Sequence, residues 1–122
     1  MQHSQEFLKL VEGAKNNVKE VTVEQTKERV QHGATLIDVR EDNEWEAGHA
    51  KAAIHLSRGI IERDIVQSIP DKDKELILYC GGGFRSALSA DNLQKMGYTN
   101  IYSMDGGWKA WKDAGAPIEG TT

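Results

Sequence analysis

The chain has 122 residues, of which 39% are hydrophobic and 28% are charged, as expected for one globular domain with a single core. Its net charge is -4 and its lysines and arginines are scattered, which argues against nucleic-acid binding because such proteins carry a basic face. The single cysteine excludes an internal disulfide, and the four histidines lack metal-ligand spacing, so we expect no metal. The sequence shows no secretory signal and no run long enough to span a bilayer, so we expect a cytoplasmic protein without membrane contact.

The first predicted element is an amphipathic helix within residues 1–19. Apolar side chains recur there at helical spacing, at Phe7, Leu10 or Val11, Ala14 and Val18. We expect this helix to pack on the domain and to cover part of its sheet. An arm that docks a partner is the alternative.

Short apolar runs alternate with helical segments along the rest of the chain. The runs predicted to be strands are Thr35–Val39, Leu76–Cys80 and Ile101–Met104, with shorter candidates at Ala53–Leu56 and Glu20–Thr22. Helices are predicted after a capping box at Thr22 and Gln25, after a cap at Asp42, over Gly59–Gln67, from about Arg85 to Met96, and after a cap at Asp105. This alternation predicts an α/β domain with a mainly parallel central sheet.

The stretch LILYCGGGFRSA, residues 76–87, places the cysteine at the carboxyl end of a predicted strand, the edge where open α/β sheets bind ligands. Three glycines follow Cys80, and their backbone N–H groups can surround one point because no Cβ stands in the way. Arg85 and the start of the next helix add positive charge, which favours a thiolate. The pattern predicts an activated nucleophile. The alternative is a packing cysteine before a flexible turn.

Four segments, in this order and spacing, resemble the single-domain rhodaneses, which are sulfurtransferases. They are LIDVRE with Asp38 and Arg40, then EWEAGHAKAAIHLS, CGGGFRS and MDGGWKAW. Ala50 and Ala52 replace the isoleucine and glycine that are usual in the family, and both lie away from the cysteine in sequence. The resemblance implies a rhodanese-like three-layer domain over residues 20–120, with a mainly parallel five-stranded central sheet and helices on both faces.

The resemblance also implies that Cys80 is the catalytic residue. The cysteine would take the outer sulfur of thiosulfate or a similar small anionic donor as a persulfide, and pass it to cyanide or a thiol acceptor. The loop would hold the terminal sulfur anion through its backbone N–H groups. The expected substrate-binding residues are therefore Gly81, Gly82, Gly83, Phe84 and Arg85. The residues expected to support this site are Asp38, Arg40, Ser86 and Arg58. No cofactor is expected beyond the persulfide itself.

Several residues near this site also admit a purely structural role. Asp38 and Arg40 are expected mainly to brace nearby loops and helix ends. Arg58 either helps an anionic donor approach or is a solvated arginine at a helix start, and Ser86 is an alternative N-cap. We expect His49 to be hydrogen bonded to the backbone rather than to act as a base.

Two other functions fit the same loop. Phosphatases and arsenate reductases also place a cysteine and an arginine around an anion cradle, but the related cell-division phosphatases have one more residue between them than the four that separate Cys80 from Arg85. The smaller ring suits one sulfur atom better than a phosphate. A persulfide-relay module loaded by a partner protein would use the same cysteine with little activity on thiosulfate. An inactive regulatory domain is disfavoured because the cysteine is present.

Overall fold

The computed structural model of the protein describes residues 3–120. Five strands form an all-parallel central sheet: β1 (Lys19–Val21), β2 (Thr35–Asp38), β4 (Ile54–His55), β5 (Leu76–Tyr79) and β6 (Ile101–Met104). Their order across the sheet is β1-β6-β5-β2-β4, so β5 lies in the middle. A separate antiparallel pair joins β3 (His49–Ala50) to β7 (Ile118–Glu119), and the sequence had not indicated either strand.

Helices cover both faces of the sheet. They are α1 (Gln5–Lys15), α2 (Val23–Gln31), α3 (Asp42–Ala47), α4 (Ile61–Ser68), α5 (Phe84–Lys95) and α6 (Gly107–Asp113). One face packs against α4 and α5, and the other against α2 and α6. The predicted α/β class with a parallel five-stranded sheet between helices is confirmed. Within residues 3–120, no helix combines the length and apolar character needed to cross a bilayer.

The central strand β5 is buried along its whole length. Its side chains alternate between the two faces: Ile77 and Tyr79 join the core beneath α2 and α6, whereas Leu76 and Leu78 join the core beneath α4 and α5. Cys80 continues this alternation and lies on the α5 face. The strand therefore determines which side of the sheet receives the thiol.

The start of α2 has the predicted capping box. The backbone N–H of Gln25 donates to Thr22 Oγ1 at 3.1 Å, and the N–H of Thr22 donates to Gln25 Oε1 at 2.9 Å. Two otherwise unpaired N–H groups of the first turn are satisfied in this way. The prediction succeeds because the motif is local and needs no tertiary contact.

Two other predicted caps are wrong. Asp42 is the first residue of α3, and its N-cap is Glu41, whose N–H donates to the carboxylate of Glu44 at 3.0 Å. Asp105 precedes α6, but the N-cap is Gly106, because the N–H of Asp105 still pairs with the backbone of β1. The N-cap of α3 therefore lies one residue before the predicted position, and that of α6 lies one residue after it.

Helix α1 packs on α5 rather than directly on the sheet. Val11 and Ala14 are buried against Ala87 and Leu88 of α5, whereas Leu10 is 59% exposed. The sequence left open whether Leu10 or Val11 faces the protein, and the structure shows that Val11 does. Residues 1 and 2 of the predicted helix lie outside the described residues.

Candidate active site

Cys80 lies where β5 ends, at the carboxyl edge of the sheet, and is 1% exposed. Helix α5 begins at Phe84, one residue earlier than predicted, so Phe84 belongs to the helix and not to the loop. Gly83 is its N-cap, with a φ of +103° that a residue with a side chain adopts only under strain. Ser86 is therefore buried inside the first turn and does not cap the helix.

Gly83 and Ser86 both contact the sulfur of Cys80. The backbone N–H of Gly83 donates to Sγ at 3.1 Å, and Ser86 Oγ lies 3.6 Å from Sγ. Ser86 Oγ is also 2.7 Å from Ser103 Oγ on β6, which places a pair of buried hydroxyl groups behind the thiol. Within residues 3–120, Gly83 supplies the only backbone hydrogen bond to this sulfur among the five loop amides. An N–H donor and the nearby amino end of α5 both stabilise negative charge on sulfur.

Helix α6 contacts the cysteine loop through backbone hydrogen bonds, a contact that the sequence did not reveal. The N–H of Trp108 donates to the carbonyl of Cys80 at 2.6 Å, and that of Lys109 to the carbonyl of Gly81 at 3.3 Å. A Cβ on Gly107, which has a φ of +54°, would lie 2.2 Å from the Cys80 carbonyl oxygen. Only glycine permits this approach, so the double glycine of MDGGW was the available sequence signal.

Arg85 reaches the site but is already paired. Its guanidinium donates to both carboxylate oxygens of Glu44, at 2.7 and 3.1 Å. This hydrogen bonding lowers the pKa of Glu44 and raises the pKa of Arg85, and the nearby Cys80 raises the pKa of Arg85 further. The pair therefore stabilises the fold above the unfolded-state pKa of the carboxyl group, and its contribution disappears as the pH falls through the lowered folded-state pKa. Glu44 was not among the predicted site residues.

Asp38 is the last residue of the neighbouring strand β2 and Arg40 follows two residues later, yet both side chains are buried in the protein. The side chains are 0% and 3% exposed, and the guanidinium donates to both oxygens of the Asp38 carboxylate at 2.9–3.1 Å. Arg40 also donates to the carbonyl of Gly48 at 2.6 Å and lies 4.7 Å from the ring centre of Trp108. The pair connects β2, the end of α3 and α6, and neither residue lines the pocket described next.

A pocket of about 610 Å³ opens above Cys80. Its lining residues are His3, Phe7, Glu44, Arg58, Cys80, Gly82, Phe84 and Arg85. The structure thus brings the predicted Arg58 together with the cysteine loop, and adds Glu44 and two residues of the N-terminal segment that the sequence did not indicate. Arg58 Nε is buried without a hydrogen-bond partner among the described residues.

His49, which the sequence offered as a possible base, does not line this pocket. Nδ1 of His49 is 2.8 Å from the carbonyl of Trp45, and the two rings stack with 3.4 Å between their centroids, so the predicted backbone hydrogen bond of His49 is confirmed. Among residues 3–120, no group of three or more His, Cys, Asp or Glu side chains is placed to hold a metal ion.

Comparison with known proteins agrees with this geometry. The sequence profile of the rhodanese-like domain matches residues 22–114. The thiosulfate sulfurtransferase GlpE of Haemophilus influenzae is 35% identical over 103 residues, which cover 84% of this chain and 96% of that protein.

Solved structures of other proteins share this fold. The polysulfide-sulfur transferase homodimer of Wolinella succinogenes superposes with a TM-score of 0.81 at 30% identity, covering 93% of this chain and 86% of that one. A Rhodopseudomonas palustris protein of unknown function, described as a possible tyrosine phosphatase, has a TM-score of 0.81 at 28% identity and covers 98% of both chains. With its parallel sheet, its cysteine loop and these relatives, the chain belongs to the rhodanese-like domain family.

Proposed function

We propose that this protein is a sulfurtransferase that carries sulfur as a persulfide on Cys80. The thiolate attacks the outer sulfur of thiosulfate or a similar donor, the sulfur–sulfur bond of the donor breaks, and sulfite leaves with the electron pair. Cyanide or a thiol then attacks the outer sulfur of the persulfide and releases the Cys80 thiolate. The proposal rests on a single observation: the thiol lies at the base of a pocket with the N–H of Gly83 directed at its sulfur.

Two features of the site support this chemistry. The amino end of α5 lies next to the sulfur, so its dipole stabilises the terminal anion of the persulfide. The glycine loop leaves space beside Cys80, because Gly82 lines the pocket with no side chain. We assign the remaining loop amides, from Gly81 to Arg85, to the outer sulfur once it is bound. A reduced thiol of this kind fits a cytoplasmic protein.

The direct test is mass spectrometry of the intact protein. After incubation with thiosulfate we expect a gain of one sulfur atom, removed again by cyanide with the release of thiocyanate. Absence of a cyanide-labile sulfur with every donor tested, protein persulfides included, contradicts the proposal.

The pairing of Arg85 favours a second candidate, the persulfide relay. Because the guanidinium of Arg85 already forms an ion pair with Glu44, less positive charge is available to attract a dianion such as thiosulfate. A partner protein that delivers sulfur from its own persulfide needs no such charge. Loading of Cys80 by a cysteine desulfurase, but not by millimolar thiosulfate, would identify the relay.

We expect Glu44→Gln to increase the affinity for thiosulfate. The amide keeps the hydrogen bond to the N–H of Glu41, so α3 remains capped, while one negative charge leaves the pocket. The KM for thiosulfate should fall by about threefold to tenfold in steady-state assays with cyanide as acceptor. Glu46→Gln, an exposed change on the same helix, controls for net charge and should leave the KM unchanged. An equal or higher KM in Glu44→Gln would show that this carboxylate does not oppose donor binding.

Phosphatase activity is not expected. The short loop leaves little room for a tetrahedral phosphate, and the Glu44 carboxylate beside Arg85 would repel its charge. Incubation with p-nitrophenyl phosphate should therefore give no more hydrolysis than Cys80→Ser gives. Clear turnover that disappears in Cys80→Ser would reassign the protein.

A further inference from the structure

The N-terminal segment, which comprises His3 and helix α1, supplies part of the pocket wall although it precedes the residues that match the family. The match begins at residue 22, whereas His3 and Phe7 line the pocket above Cys80. Helix α1 is held in place by Val11 and Ala14, which are buried against α5. The N-cap Ser4 accepts a hydrogen bond from the N–H of Phe7 at 3.0 Å, which fixes the first turn next to the pocket.

Three rings meet at the mouth of the pocket. The ring centroids of His3 and Phe84 are 5.1 Å apart, those of His3 and Phe7 are 5.0 Å apart, and those of Phe7 and Phe84 are 6.1 Å apart. These separations lie in the range of favourable aromatic pairs. His3 is exposed and the two phenylalanines are half-buried, so ring surface remains available to a ligand. We call these three residues the aromatic rim.

The pocket is larger and more apolar than the smallest substrates require. Its volume of about 610 Å³ lies within the roughly 300–1,000 Å³ of pockets that enclose drug-sized organic ligands. Cyanide and thiosulfate are far smaller and carry no apolar group. A molecule that contacts both Cys80 and the aromatic rim must have a sulfur at one end and an apolar group at the other.

We propose that the aromatic rim binds the organic part of the sulfur acceptor, and that this acceptor is a low-molecular-weight thiol with an aromatic or other bulky apolar group. This inference rests on the proposed function. The acceptor thiolate attacks the outer sulfur of the Cys80 persulfide, a new sulfur–sulfur bond forms, and the bond to Sγ breaks. The electron pair of that bond returns to Cys80 as thiolate, and the acceptor leaves as an organic persulfide.

The test compares three acceptors in protein variants of α1, with thiosulfate as donor. The acceptors are phenylmethanethiol, 2-mercaptoethanol and cyanide. In Phe7→Ala, kcat/KM for phenylmethanethiol should fall by about threefold to tenfold relative to that for 2-mercaptoethanol, the size expected for one lost aromatic contact. Dividing each value by that for cyanide, which has no apolar group to contact the rim, removes any effect of the substitution on formation of the persulfide.

Leu8→Ala is the matched control. Leu8 lies next to Phe7 on the same helix, is 41% exposed and does not line the pocket, so all three acceptors should behave as with the unsubstituted protein. Equal losses for the two thiols in Phe7→Ala, or no loss, would overturn the inference.

A binding measurement separates this inference from the proposed function. In Cys80→Ser, addition of phenylmethanethiol should shift the NMR signals of the Phe7 and Phe84 rings, and 2-mercaptoethanol should not. If the unsubstituted protein transfers sulfur to no acceptor while these signals shift, the proposed function fails and the aromatic rim is retained as a binding surface. If the signals do not move, the rim is not a binding surface even in an active enzyme.

Discussion

Replacing Cys80 by serine is expected to abolish sulfur transfer. Serine keeps the size of the side chain and the hydrogen bond from Gly83, but its hydroxyl is a far weaker nucleophile than a thiolate and cannot carry the persulfide. Turnover with thiosulfate and cyanide should fall by about a thousandfold or more. Thiocyanate formation measures the rate, and intact mass shows whether any sulfur is bound.

Ser89→Ala provides the matched control for this experiment. Ser89 lies on the same helix α5, and its buried hydroxyl has no hydrogen-bond partner within residues 3–120. Its removal should leave turnover unchanged. Cys80→Ser should also keep the circular dichroism spectrum and unfolding midpoint of the unsubstituted protein. Substantial turnover in a folded Cys80→Ser protein would exclude covalent catalysis through this residue.

The second large effect concerns stability. Asp38→Asn leaves the Arg40 guanidinium buried without its countercharge, because the carboxylate that accepts its hydrogen bonds is gone. Breaking a buried ion pair from one side costs about 3–5 kcal/mol. This is a large part of the roughly 5–15 kcal/mol by which domains of this size are stable. Urea unfolding followed by tryptophan fluorescence measures the loss.

A comparison of stability with activity decides whether this pair is structural. Because neither Asp38 nor Arg40 lines the pocket, kcat/KM per folded molecule should change much less than the unfolding free energy. Arg63→Ala, which breaks an exposed ion pair with Asp64, should leave the unfolding midpoint unchanged. A folded Asp38→Asn protein of normal stability that has lost activity would assign the pair to the substrate instead.

Together, these experiments separate two kinds of charge at the same edge of the sheet. The Asp38–Arg40 pair is buried and holds β2, α3 and α6 together, whereas the Arg85–Glu44 pair is about one-third exposed and faces the pocket. Removing a charge from the first pair should affect folding. Removing the Glu44 charge from the second should affect binding of an anionic donor. Arg40 pairs with a carboxylate two residues away, whereas the partner of Arg85 lies 41 residues away in the sequence.

The main strands and helices, and the position of the candidate nucleophile, could be predicted from the sequence. Apolar runs between helical segments predicted the parallel sheet, since buried strands lack polar alternation. The capping box at Thr22 and the position of Cys80 after LILY are local features, and both occur in the structure as predicted. Local features can be read from neighbouring residues because their geometry depends on a few backbone angles.

The groups that surround the thiol could not be predicted from the sequence, because they come together through long-range packing. The order β6-β5-β2 brings the chain segments that follow these three strands to one edge, so Gly107, Cys80 and Glu44 meet there although they lie far apart in sequence. Many strand orders are compatible with the same alternation of strands and helices, because each crossover helix can carry the chain to either side. The placement of Phe7 over the pocket depends likewise on how α1 packs on α5. Such long-range contacts result from packing, and a short motif such as MDGGW indicates a close approach without naming the partner.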